Sequence, residues 1–202
     1  QIFNSNFSNN EIYDDLIHVV YSEDVYFKNI KVNNAFSDAL DIDVSKNIKL
    51  ENIEIQMSRN DGIDLMESSV LIQKVKVSNS NDKGISIGEK SNVEIKDSQF
   101  NKNQIAIAVK DNSIVKIYNT NFNNNFFQLA GYAKNWRYGN GGNINIFKSK
   151  FSSEINRLSV LSDPITADNL IGSRLKQNSI ISIYDSDFEG EIQKKGQNIF
   201  IN

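Results

Sequence analysis

Six positions in this 202-residue chain have the residue types and the spacing to act together. Asp15, Asp38 and Asp61 recur every 23 residues, and His18, Asp41 and Asp64 recur at the same interval three places later. The two series continue as Lys83 and Ile105, and as Ser86 and Ala108, while Asp14, Asp43 and Asp82 stand close by. If each recurrence stacks on the last, equivalent residues come about 4.8 Å apart. Five carboxylates then share a patch with the only histidine of the chain. Charges that close repel, so either a cation binds among them or some of the carboxyls keep their protons. Oxygen donors without cysteine select a hard cation, Ca²⁺ before Mg²⁺, with Asp15, Asp38, Asp41, Asp61 and Asp64 as candidate ligands. One imidazole is thin support for zinc, and His18 is instead a candidate acid–base partner of Asp41. A structural reading stands beside this one. Aspartates before a strand cap a corner by accepting from backbone N–H groups, and Lys83 then serves as an ion-pair partner of Asp61. Asp41 and Asp64 each stand between two apolar residues at a strand centre, where aspartate is disfavoured. Ser86 and Ala108 follow them, so the acidic run has an end.

The elements that must position these residues are legible as an internal repeat. The phrase VEIKDSQF (93–100) returns as VKIYNTNF (115–122), INIFKSKF (144–151) and ISIYDSDF (181–188). Upstream relatives are VYFKNIKV, IKLENIEI and VLIQKVKV. Aligning the copies gives the series Ile2, Phe27, Leu50, Ile72, Ile95, Ile117, Ile146 and Ile183, with a second apolar residue five places after each. Steps of 22 to 25 residues hold up to Ile117, after which insertions lengthen them to 29 and 37. Between these phrases lies a second alternating segment: Leu40-Asp41-Ile42, Ile63-Asp64-Leu65, Ile85-Ser86-Ile87, Ile107-Ala108-Val109. In/out alternation over three to five residues is a strand with one buried face. No copy can bury that face alone, so successive copies must stack. The expectation is an all-β parallel β-helix of about eight rungs, one domain over 1–202, with two insertions in its C-terminal half.

The repeat resembles the pectate-lyase-like superfamily of right-handed β-helices along its whole length. DALDIDVS, NDGIDLMESS, NDKGISIGEKS and IAVKDNS are similar to β-helix modules of secreted bacterial proteins. That resemblance implies a secreted or cell-surface location. The aspartate cluster with a lysine one rung on also resembles calcium-dependent β-helix polysaccharide lyases. By that likeness Asp38, Asp41, Asp61 and Asp64 would hold Ca²⁺ against a uronate carboxylate, and Lys83 would remove the α-proton. No arginine falls within the cluster to steady the resulting charge. The alternative function is a non-catalytic glycan-binding or structural module; hydrolase and epimerase readings have less support.

YAKNWRYGNGG (132–142) gathers the only tryptophan with two tyrosines and an arginine. Trp136, Arg137 and Tyr138 are therefore candidate contacts to an acidic polysaccharide. The second insertion, 152–179, reads as an excursion or short helix. A formal charge of −3 offers no field for nucleic acid. No apolar run is long enough to insert in a membrane. Gln1 falls in mid-pattern, which leads one to expect a fragment with further domains of the same parent chain as neighbours.

Overall fold

A computed structural model describes residues 1–8, 14–163 and 178–202. Its strands pair only in parallel, each with its equivalent one repeat away, and twenty of them make one continuous sheet wound into a solenoid. No helix occurs among the described residues. The aligned apolar series is one internal row: Ile2 pairs with Phe27, Phe27 with Leu50, Leu50 with Ile72, and so on through Ile95, Ile117 and Ile146 to Ile183. Ile201 in the last strand extends the row by one more place.

The residues five places later form a second row on the next face, from Phe7, Val32, Ile55 and Val77 to Phe100, Phe122, Phe151 and Phe188. Its last four residues, Phe100, Phe122, Phe151 and Phe188, stack with centroids 5.6, 4.7 and 5.0 Å apart and planes within 20° of parallel. Identical rings in register one rung apart have no other arrangement open to them, and the offset stack is a favourable one.

Between the two rows the chain turns a corner, and one residue takes a left-handed backbone to do so. Asn4, Asn29, Asn52, Lys74, Asp97, Asn119, Lys148 and Asp185 occupy that place, all with φ between 47° and 57°. Asparagine and aspartate, which hold six of the eight positions, tolerate this conformation because their short polar side chains bond locally. The Asn52 amide donates to Asn29 Oδ1 (2.7 Å) and that of Asn29 to Asn4 Oδ1 (2.8 Å). Inside another corner the serines do the same work. Ser45, Ser68, Ser91 and Ser113 each accept, through Oγ, from the backbone N–H of the preceding rung at 3.0–3.1 Å.

The third face carries His18–Val20, Leu40–Asp43, Ile63–Met66, Lys83–Gly88, Ile105–Lys110 and Phe127–Tyr132. Leu40, Ile42, Ile63, Leu65, Ile85, Ile87, Ile107 and Val109 fill the core from this side, so the residues alternating with them point outward.

One expectation needs correction. Within the insertion read over 152–179, residues 152–162 continue the strand Lys150–Ser162 and form neither an excursion nor a helix. Leu158 and Val160 join the core, and Leu161 lies against the outer face with Ala130. A bulge between Ser152 and Arg157 shifts the register there, and it hides the alternation from a reader of the sequence. Pro164, Leu170 and Ile171 lie outside the described residues.

Phe122 is the middle of the ring stack, so Phe122→Ala should cost about 3–5 kcal/mol by urea unfolding. Phe126, four residues on and half-exposed, should cost little when truncated in the same way. Equal losses at the two positions would contradict the assigned register.

Candidate functional site

The register of the third face stacks the outward residues as the repeat requires. His18 pairs with Asp41, Asp41 with Asp64, Asp64 with Ser86 and Ser86 with Ala108. Asp43 also points outward, two residues along the strand from Asp41. The His18 Nε2 atom lies 3.4 Å from Asp41 Oδ2 and 3.3 Å from Asp43 Oδ2. Among the described residues these are the three whose ligand atoms gather within 4.8 Å of one another. Burial, followed by the charges of Asp43, Asp64 and Asp15, pushes the Asp41 carboxyl up to about 7. Burial pulls the His18 imidazole down, but the hydrogen bond to Asp43 and the charge of Asp41 outweigh it, leaving a net rise. Asp43 stood beside the cluster in the sequence without being singled out. Its signal was the two-residue step that keeps a side chain on one face of a strand.

The corner aspartates are used differently. Asp15 Oδ1 accepts from the backbone N–H of Asp38 (3.1 Å), Asp38 Oδ1 from that of Asp61 (2.6 Å), and Asp61 Oδ1 from that of Lys83 (2.9 Å). Asp38 Oδ1 also accepts from the Asn60 amide at 2.7 Å. Each carboxylate thus caps the corner of the next rung. Burial, with Asp61 and Asp64 nearby, raises Asp38 to about 7; burial raises Asp61 to about 6 against the opposing charge of Lys83. The five aspartates therefore fall into two groups. Asp41 meets His18 and Asp43, with Asp64 on the next rung, while Asp15, Asp38 and Asp61 tie backbone to backbone.

Lys83 ends the corner series and is only 6 % exposed. Its Nζ pairs with Asp61 Oδ1 at 3.5 Å and, more closely, with Asp82. Burial opposes the charged ammonium, but Asp61, Tyr132 and Asp82 overcome that and raise its pKa above that of a free lysine. From Ser86 onward the outer face is closed. Ser86 and Ala108 are fully buried, and Ala108, Ala130 and Leu161 continue the column in register as a small apolar cluster with Tyr132. The open part of the face is thus confined to the rungs of His18, Asp41 and Asp64.

The 132–142 insertion borders that open part. Asp111 Oδ1 anchors its start by accepting from the N–H groups of Lys134 (2.7 Å) and Asn135 (2.8 Å). Its far side reaches back to the rung of Asp64, where the Tyr138 hydroxyl donates to Glu67 Oε1 at 2.7 Å. Lys90 packs its ammonium 5.7 Å from the Tyr138 ring. Trp136 stays 74 % exposed, with the Arg137 guanidinium 5.7 Å from its ring. Neither Glu67 nor Asp111 was marked by its own spacing, since each meets the loop only through the return of a distant segment.

The two groups of aspartates should differ most at low pH, where only the corner acids have a backbone contact to lose. The raised pKa of Asp41 means that the folded state binds its proton more tightly than the unfolded chain. Its contribution is therefore full below about pH 4 and is lost as pH rises through about 7. Asp41→Asn should raise the melting temperature at pH 8 in chelator and leave it nearly unchanged at pH 4. Asp38→Ala should lower it at pH 4, because a buried N–H loses its acceptor at a cost of roughly 1–3 kcal/mol, and the loss should shrink at pH 8, where removing a carboxyl whose pKa is also raised to about 7 offsets it. Scanning calorimetry of the two variants at both pH values checks this.

The family model described as right-handed beta helix region matches residues 1–155. No curated protein matches the chain. The matched span covers more than half of the chain and contains His18, Asp41, Asp43, Asp64, Lys83 and the 132–142 loop. β-Helix domains of this kind suit carbohydrate-active proteins in general. By its stacked register and by this match, the chain belongs to the right-handed β-helix family.

Proposed function

We propose that this protein is a glycan-binding β-helix module, secreted or at the cell surface, that holds a divalent cation at His18, Asp41 and Asp43. The cation in turn holds the carboxylate of an acidic polysaccharide. The observation that carries this reading is the convergence of one imidazole nitrogen and two carboxylates on the open end of an otherwise closed face. Two carboxylates favour Ca²⁺, and the imidazole admits Mn²⁺ or Zn²⁺ as well. Asp64, one rung on, adds negative charge beside them. Trp136 offers an exposed ring for a sugar face, and Arg137 a partner for a second uronate.

Binding is favoured over lysis by the state of Lys83. A base for α-proton removal must be free of its proton near the working pH and within reach of the substrate. Lys83 is buried and paired with two aspartates that hold it charged, so its ammonium serves as a counter-charge to Asp61. The likeness to calcium-dependent lyases then keeps Asp41 as a cation ligand with Asp64 beside it, and stops short of the base.

Calorimetric titration with Ca²⁺, Mn²⁺ and Zn²⁺ tests the site. One equivalent should bind, and His18→Ala and Asp43→Asn should each weaken binding by about tenfold or more. The cation competes with protons on His18 and Asp41, so affinity should fall as pH is lowered through about 7. Polygalacturonate or alginate should be retained only when the cation is present, with no rise in the ultraviolet absorbance of unsaturated uronates. Absence of cation binding at millimolar metal overturns the proposal, and a rise in that absorbance abolished by Lys83→Ala would restore the lyase.

A further inference from the structure

Just before the Lys83 strand and its two successors, the corner opens into a cleft of about 420 Å³. Its floor is a ladder of buried amides. Asn125 Oδ1 accepts from both the backbone N–H and the side-chain amide of Asn103 at 3.0 Å, and Asn103 Oδ1 from the N–H of Ser80 at 3.0 Å. One wall is the bulge of the Lys150–Ser162 strand, which throws Ser153–Ile155 outward. Asn124 and Glu154 pin that wall reciprocally, the Asn124 amide donating to Glu154 Oε1 (2.9 Å) and the Glu154 N–H to Asn124 Oδ1 (2.8 Å). The other wall carries Gln104 and Phe126. The Phe126 ring stands edge-on to Phe127 at 4.7 Å and 87°, yet it is 55 % exposed, and Ile155 is 73 % exposed.

This lining has a definite chemical character. Lys102 and Glu154 cancel in charge, and the remaining polar residues are amides and serine hydroxyls. Amides present donors and acceptors side by side, as vicinal sugar hydroxyls do. A fixed, half-exposed aromatic ring provides the flat apolar surface on which the C–H face of a pyranose packs. With one cation and one anion in the lining, the cleft carries no net charge to select an ionic ligand. The volume falls within the range of small-ligand sites, and the amides repeat along the axis at the rung spacing of about 4.8 Å, close to the rise of one sugar unit in an extended chain. We propose that the cleft binds a neutral, hydroxyl-rich glycan chain, stacked on Phe126 and hydrogen-bonded by Asn81 and Gln104. This goes beyond the acidic site and needs no cation.

Titration calorimetry in chelator with cellohexaose, xylohexaose and mannohexaose tests the cleft apart from the cation site. At least one should bind with unit stoichiometry. Phe126→Ala should weaken it by about tenfold, the loss of roughly one aromatic contact, and Gln104→Ala by a smaller factor. Asp41→Asn should leave the affinity unchanged. Both cleft residues are solvent-facing, and unchanged melting temperatures would confirm that the fold is kept. Failure of all three sugars to bind at millimolar concentration overturns the proposal, as does binding that survives Phe126→Ala. Binding lost with Asp41→Asn would assign the sugar to the acidic face and overturn it too. Self-association abolished by Phe126→Ala would make the cleft a contact between copies, again overturning it.

Discussion

Everything in this molecule depends on one constraint: each residue lies against its own equivalent in the next turn of the chain. The parallel ladder fixes that pairing through backbone hydrogen bonds, and a slip of one residue would exchange the inner and outer sets of side chains. Like therefore meets like. For apolar residues this is favourable, and the isoleucine row and the phenylalanine stack are its products. Serine and asparagine gain as well, because each donates to or accepts from its copy and so satisfies corners that would otherwise bury orphaned amides. For aspartate and histidine the same rule is a conflict. The chain meets it in two ways, by turning the corner carboxylates toward backbone N–H groups and by setting Asp41, half-buried on the outward face, against the imidazole of His18 with its pKa raised.

The acidic site is best understood as the open end of a face that closes farther along. Ser86, Ala108, Ala130 and Leu161 continue the column of His18, Asp41 and Asp64 as small or apolar residues, and Tyr132 packs with the last three. Lys83 sits at the boundary. Its ion pairs with Asp61 and Asp82 place a fixed positive charge between the acids and the apolar stretch. Breaking such a buried pair is costly because it strands a charge, which gives Lys83 a structural reason to stay protonated.

The fold was legible in the sequence because its determinant is periodic. A residue and its equivalent 22 or 23 places on can be compared by eye, and every row read in that way is a row in the structure. The site was legible only as far as periodicity reaches. Stacking correctly placed Asp41 beside His18 and Asp38 beside Asp61, yet it could not say that Asp38 turns to the backbone while Asp41 does not. Asp43 needed the within-strand period as well as the between-rung one. Tyr138 and Glu67 are 71 residues apart, and their contact follows from a loop doubling back, which no repeat encodes. The bulge before Arg157 broke the pattern locally and hid the second half of the Lys150–Ser162 strand, whose start at Phe151 the repeat had marked.

The corners carry a separate consequence. The strands admit no change in length without a change of face, but the two irregular steps of the repeat, 29 and 37 residues, leave the internal row from Ile117 to Ile146 and Ile183 undisturbed. In the 29-residue step the extra residues are absorbed by the 132–142 loop, where the chain is between faces. A scaffold built in this way separates what must be copied faithfully from what is free to grow. New surface, of the kind that bears Trp136, can be added at a corner by simple lengthening while the core beneath it keeps its pairing. Diversification of such a protein would then proceed through the lengths of its corners, with the strands held as a fixed ruler.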